Sequence, residues 1–139
     1  MKLTLTDCRS RLLAHDHAVL STVHAERGVD AVPVVYAING ELLAIAVDTV
    51  KPKSSTRLQR QRNLDADPRA TLLIDHWDRD DWSQLWWVRS ELRFEPSPSE
   101  AIKQALADTL VERYVQYTDR PFADLLVLHI VNLTGWAAV

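Results

Sequence analysis

The fold is read from one stretch, Ala31-Val32-Pro33-Val34-Val35-Tyr36-Ala37-Ile38-Asn39-Gly40-Glu41-Leu42-Leu43-Ala44-Ile45-Ala46-Val47. Two β-rich apolar runs flank Asn39-Gly40, the dipeptide best suited to a two-residue hairpin because both positions tolerate positive φ. The stretch therefore predicts a strand over Ala31–Ile38, a tight turn, and an antiparallel strand over Glu41–Val47. Pro33 has no N–H to give to a ladder, so its part of the strand belongs at a sheet edge or an opening.

Working outward, Ala18–Val23 reads as a first strand, and the polar run His24-Ala25-Glu26-Arg27-Gly28 as the turn after it. Before it, Thr6 can cap a short helix with Leu12 and Leu13 on one side, and Leu5 can serve as its staple. On the other side, Arg69–Trp77 predicts a fourth strand. Gln84–Glu95 predicts a long fifth strand, with Trp86, Val88, Leu92 and Phe94 on one face and Arg89, Glu91, Arg93 and Glu95 on the other. Leu85 and Trp87 fall on the charged face and need cover. Ser97-Pro98-Ser99-Glu100 reads as a capping box opening a helix to about Tyr117, with Ile102, Leu106, Leu110 and Tyr114 as its apolar stripe. Asp124–Ala137 is the last strand. Its Leu125-Leu126-Val127-Leu128 run is apolar on both faces, as in a strand buried between layers or in a subunit interface. Six strands and three helices predict one α+β domain over 1–139, closed most economically as a small antiparallel barrel.

Composition narrows the function classes. The 139 residues carry a net charge of −3, with 47% hydrophobic and 25% charged residues, ordinary values for a soluble globular chain. An acidic balance argues against general nucleic-acid binding. Cys8 is the only cysteine, so no intramolecular disulfide can form. No apolar run approaches the ~18 residues of a membrane helix, and Met1–Asp7 lacks a signal-peptide core, so the expected location is the cytoplasm.

Against this acidic background stands Lys51–Arg69. Lys51, Lys53, Arg57, Arg60, Arg62 and Arg69 against Asp65 and Asp67 give it +4, leaving −7 for the rest of the chain. Lys53, Arg57 and Arg60 are spaced to share one helix face, and Ser54, Ser55 and Thr56 offer donors at the expected helix start. A solvated helix face would account for the charges; their concentration beside hydroxyls favours an anionic ligand. Asp67-Pro68 ends the helix.

Phosphate-loop, dinucleotide, nucleophile-elbow and zincin motifs are absent from the chain. His15 and His17 read as exposed, and His129 as a hydrogen-bonded core residue. The Asp75, His76, Asp78, Asp80, Asp81 group lacks the glycine and spacing of a calcium loop, and no metal is expected. With no evident nucleophile or acid–base pair, the chemistry would fall to a cofactor. Among the tryptophans, Trp86 reads as packing, while Trp82 and Trp87 are candidates for lining a cleft.

These residues resemble a known family. The Val-Pro strand, the Asn-Gly hairpin, Lys51-Pro52-Lys53 and Arg60-x-x-Asn63-Leu64-x-x-x-Pro68-Arg69, followed by a Trp-rich strand, resemble the pyridoxamine-phosphate-oxidase-like split-barrel superfamily. Within it, Ala46-Val47-Asp48, Asp75-His76-Trp77, Asp81-Trp82, Leu85-Trp86-Trp87-Val88-Arg89 and Gly135-Trp136-Ala137 look like the deazaflavin (coenzyme F420)-dependent oxidoreductase branch, typical of actinobacteria. The resemblance implies a six-stranded split β-barrel working as a homodimer, with two cofactor sites at the subunit interface. It implies that Lys51, Lys53, Arg57 and Arg60 hold the cofactor's phosphate and polyglutamate tail, and that Val32, Pro33 and Val34 lie beside its ring. Trp77 and Trp87 would stand near the cleft, and Trp136 near the ring or interface. The implied reaction passes a hydride from reduced deazaflavin to an unsaturated small-molecule substrate; no catalytic side chain is assigned. FMN is the alternative cofactor, since related branches use it and some bind haem. A non-catalytic cofactor- or ligand-binding protein is the alternative of another class. The chain is short beside true pyridoxamine phosphate oxidase, so oxidation of vitamin B6 compounds is not implied.

Overall fold

The computed structural model describes residues 1–49 and 58–139. Among them the chain forms three α-helices and one antiparallel sheet of seven strands. Helix α1 (Leu5–Ala14) is followed by β1 (Ala18–His24), β2 (Gly28–Val34), β3 (Ala37–Asn39) and β4 (Leu42–Asp48). Then come α2 (Gln59–Ala66), β5 (Arg69–His76), β6 (Trp86–Glu95), α3 (Glu100–Arg113) and β7 (Phe122–Ala137), with single 3-10 turns at Trp82–Gln84 and Val115–Tyr117.

The hairpin forms one residue later than predicted: Asn39 stays in the strand and pairs with Leu42, so Gly40 and Glu41 make the two-residue turn, with Gly40 at φ 62°. The strand before it does not run through. Tyr36 is fully buried, its hydroxyl donates to the Leu12 carbonyl at 2.5 Å, and its backbone N–H donates to the Tyr114 hydroxyl at 3.3 Å. These bonds take Val35 and Tyr36 out of the ladder, so the predicted second strand becomes β2 and β3, and the count is seven rather than six.

That break closes the barrel. The sheet order is β2-β1-β5-β6-β7-β4-β3, so β2 and β3 stand at opposite edges. Laid flat, seven strands span ~29 Å. The chain from Val34 to Ala37 reaches at most ~11 Å. The sheet has to curl until its edges approach. Pro33 lies on the edge strand β2, in register with Val19 on β1.

Inside the curl, Leu20, Leu43, Ile45, Leu72, Val88 and Leu128 form the main core, closed by Cys8 and Leu12 of α1 and Leu64 of α2. A second core lies outside β3, β4 and β7. There Ala37, Ala44, Ala46, Leu125 and Val127 meet Leu106, Ala107 and Leu110 of α3, with Tyr117. Strand β7 is therefore apolar on both faces because it lies between barrel and helix. The alanines of β4 leave room for α3. Strand β6 alternates as predicted, with Val88, Ser90 and Leu92 buried and Arg89, Glu91 and Arg93 exposed.

Local signals moved by a few residues. Thr4, not Thr6, caps α1 by accepting from the Asp7 N–H, and Leu5 is an exposed helical residue instead of a staple. Leu12 is buried, while Leu13 is exposed. Ser99, not Ser97, caps α3, which ends at Arg113. His129 is an exposed partner of Glu95 at 3.6 Å, because it points beyond the strip of β7 that α3 covers. Helix α2 begins at Gln59 after an extended Leu58, whose N–H donates to the Gln61 side chain at 2.7 Å. Arg60 thus sits in the first turn of α2, and the predicted face shared with Lys53 and Arg57 rests on residues outside the described ones.

Candidate functional site

Where β2 leaves the sheet edge, a cleft opens. It is lined by His17, Pro33, Val34, Val35, Ile45, Ala46, Asp48, Arg60 and Tyr117. Local chemistry accounts for each wall. Pro33 and its neighbours form the end of an edge strand, and Ile45, Ala46 and Asp48 the end of β4. Arg60 comes from the first turn of α2, and Tyr117 from the 3-10 turn that reverses the chain after α3.

Helix α2 is fastened to the sheet by Asn63. This residue is 3% exposed; its amide donates to Thr22 Oγ1 and Asp30 Oδ2, both at 2.9 Å, and accepts from the Gln59 amide at 2.9 Å. Leu64 beside it enters the core. The Asn-Leu pair that carries much of the family resemblance thus acts structurally, holding Arg60 at the cleft.

The polar side of the cleft is unevenly satisfied. The Tyr117 hydroxyl donates to Asp48 Oδ2 at 2.8 Å. Burial, and then that bond and the Asp48 charge, push the Tyr117 hydroxyl well above the usual phenol range. Burial also pushes the Arg60 guanidinium down, with Asp48 and Tyr117 acting the other way. The Arg60 Nε is buried with no hydrogen-bond partner among the described residues. A buried donor left unpaired costs roughly 1–3 kcal/mol, so the Arg60 side chain is held at the cleft wall at a cost to the fold.

Of the predicted site residues, Pro33, Val34 and Arg60 meet in this cleft. Val32 lies one residue away, in an adjoining hollow that Arg60 also lines. Lys51, Lys53 and Arg57 lie outside the described residues. The tryptophans stand elsewhere on the chain. Trp77 and Trp82, 53% and 69% exposed, meet edge to face with ring centroids 6.5 Å apart on the loop after β5. Trp87 and Trp136 are cross-strand neighbours on the outer face of β6 and β7. Trp87 shares a shallow depression there with Leu73, Asp75, Leu85 and Arg89. Trp86 packs against the main core, with the Arg11 guanidinium 4.7 Å from its ring centre.

In the acidic loop, Asp78 accepts from the N–H groups of Asp80 and Asp81, and Asp81 caps Ser83. Among the described residues no group of three His, Cys, Asp or Glu side chains is placed to hold a metal. Sequence reasoning did not assign His17, Asp48 or Tyr117 to the site. Asp48 alone carried a signal, as the acid ending the strand before the basic run.

No protein-family model matches the chain, and no curated protein matches it. Solved structures do. A FAD-binding protein from Mesorhizobium loti superposes with a TM-score of 0.70 at 18% identity, over 97% of this chain and 93% of that one. A conserved protein from Mycobacterium tuberculosis gives 0.74 at 18% identity, over 98% and 86%. The haem storage protein of Vibrio cholerae gives 0.63 at 13% identity, over 93% and 92%. At these identities the likeness is one of fold, and that fold is the split barrel anticipated from the motifs.

Proposed function

We propose that this chain is an oxidoreductase whose cleft holds a deazaflavin of the coenzyme F420 type and that it reduces an unsaturated small molecule. The observation that carries this reading is a cationic side chain, Arg60, lining the same cleft as the apolar wall of Pro33, Val34 and Val35. A flat ring with a polar edge fits such a pairing: the valines and Ile45 exclude water from one face, and the guanidinium meets charge at the edge. When bound, the cofactor supplies the hydride. Arg60 binds it, Asp48 and Tyr117 hold the polar wall together, and Pro33 keeps the edge of β2 free of a further strand. The deazaflavin is preferred because Lys51, Lys53 and Arg57 precede Arg60 in sequence, more positive charge than a single phosphate requires.

A second reading, an FMN-binding flavoprotein, is favoured by the single guanidinium that the described cleft offers and by the FAD bound by a protein of the same fold. Parallel titrations with coenzyme F420 and FMN at low and moderate salt separate the two. Tight, salt-sensitive deazaflavin binding with weak FMN binding supports the first; the reverse preference selects the second. Binding of neither refutes both.

The working form in this reading is a homodimer. Leu125 and Val127 are covered by α3 of the same chain, so that apolar run of β7 gives no support for a partner. Support comes instead from the outer face of the sheet. Val19 and Leu73 are paired neighbours there, each 39% exposed, next to Trp87 and Trp136. A second copy on this stripe would cover it and bring the outer tryptophans into a shared interface. Light scattering should give a dimer, and Leu73→Glu a monomer; a monomeric wild type would refute it.

A further inference from the structure

We infer that His17 is the proton donor of the reduction proposed above, held at the cleft by the end of α3; the inference rests on that reading of the cleft.

The choice follows from the cleft's ionisable groups. Arg60 keeps its proton at any physiological pH. The Tyr117 hydroxyl is committed to Asp48, and Asp48 accepts that bond. An imidazole can give a proton from one ring nitrogen and accept one at the other, and His17 is the one imidazole among the described lining residues. It is also exposed, so solvent can return the proton it gives.

Its backbone is built to stay in place. Arg113 donates to the carbonyls of Leu13 at 2.7 Å and His15 at 2.5 Å, and the Tyr114 hydroxyl donates to that of Asp16 at 2.8 Å. One carbonyl in the last turn of α1 and two in the short link before His17 are thus fixed by residues about a hundred positions away. The next residue, Ala18, pairs with Val34, so β1 starts beside the apolar wall of the cleft that His17 lines. Behind it, the His15 ring stacks on His17 at 5.6 Å and 28°. Burial, then His17 and more weakly His76, hold His15 toward its neutral form, against Asp16 and Asp75. The ring backing His17 is thus biased toward its neutral form.

The step balances as follows. The substrate's unsaturated bond takes a hydride at one carbon. Its π electron pair moves to the neighbouring atom, which takes the proton of the His17 imidazolium. The hydride donor, a reduced deazaflavin or flavin, leaves oxidised, and the neutral imidazole regains a proton from water.

The test uses 15N-histidine-labelled protein in wild-type, His17→Gln and His15→Gln forms, titrated with coenzyme F420, FMN and haemin. Turnover is followed with reduced cofactor and cyclohexenone. The expected result is that F420 or FMN moves the His17 ring signals and leaves those of His24 and His129 in place. With cofactor at saturation, His17→Gln should lose roughly 10²–10⁴-fold in turnover and lose the fall in rate at rising pH. His15→Gln should keep that pH limb. Unmoved His17 signals on cofactor binding overturn the inference alone, as does a pH limb that persists in His17→Gln. A haemin Soret band that depends on His17 overturns it in favour of an iron ligand. Failure of both cofactors to bind wild type overturns the proposed function together with it.

Discussion

Replacing Arg60 with methionine keeps an unbranched apolar stem and removes the guanidinium. Without ligand, wild type carries a buried Nε that has no partner among the described residues, a cost of about 1–3 kcal/mol. Methionine removes that cost and also the attraction to Asp48, whose carboxylate keeps its bond from Tyr117. The two changes oppose one another, so the unliganded variant should unfold within ~4 °C of wild type, equivalent to ~1 kcal/mol. Binding should respond far more. Loss of one charge-assisted hydrogen bond worth ~1.5–3 kcal/mol weakens affinity roughly 10- to 150-fold. A ligand held at ~100 times the wild-type Kd stabilises wild type by ~2.7 kcal/mol, and a hundredfold weaker variant by only ~0.4 kcal/mol. In thermal unfolding the ligand-induced shift should fall from ~10 °C to ~2 °C. Scanning fluorimetry with and without F420 or FMN, paired with titration calorimetry at two ionic strengths, reads both quantities. A variant that loses several degrees without ligand yet binds with wild-type affinity would refute the argument and make Arg60 a structural residue.

Asn63→Leu should cost ~2–4 kcal/mol in urea unfolding, because it leaves the buried Thr22 hydroxyl and the Gln59 amide without their partner; a loss under ~0.5 kcal/mol would contradict the fastening role. Gly135→Ala would bring a Cβ to 2.7 Å from Cys8 Sγ, 2.9 Å from Leu3 Cδ1 and 3.1 Å from the Trp87 carbonyl. A destabilisation of ~1–3 kcal/mol is expected, partly relieved in the Cys8→Ala background; strict additivity of the two changes would count against the packing argument. The Arg69 side chain holds the Asp67 carboxyl down to about 2 from 3.8. A depressed carboxyl stabilises the fold above its unfolded value and ceases to as pH falls through its folded one. Asp67→Asn should therefore be less stable than wild type near neutrality, and the difference should fade between pH 3.8 and about 2; a difference constant across that window in urea midpoints would refute it.

Much of the fold was legible because its signals are local or periodic. The Asn39-Gly40 signal located the hairpin to within one residue, because the turn needs a positive φ and Gly40 provides it. Strand β6 alternates with period two whatever its neighbours. Caps were found to within two residues, because Thr4 and Thr6, or Ser97 and Ser99, offer the same chemistry, and only the observed bonds to Asp7 and Ile102 separate them. The edge position of Pro33 follows from its missing N–H alone. The basic run before α2 was visible as charge against an acidic background, and Arg60 within it reaches the cleft.

What the chain's pattern could not contain is the outcome of competition between distant groups. Val35 and Tyr36 have strand composition, and only the hydrogen bonds of Tyr36 to Leu12 and Tyr114 take them out of the ladder. The apolar run of β7 fits a subunit interface as well as a sandwiched strand until α3 is seen to cover it. The same holds for the site. His17, Asp48, Arg60 and Tyr117 carry no shared spacing, since they are brought together by strand order and by two anchors, Asn63 on the sheet and Arg113 on the carbonyls before His17. Local backbone preference and side-chain periodicity were written in the sequence by itself. Which edge opens, and which four polar groups meet there, was decided by closure of the sheet, because a sheet of seven strands joined edge to edge by two residues has no flat solution.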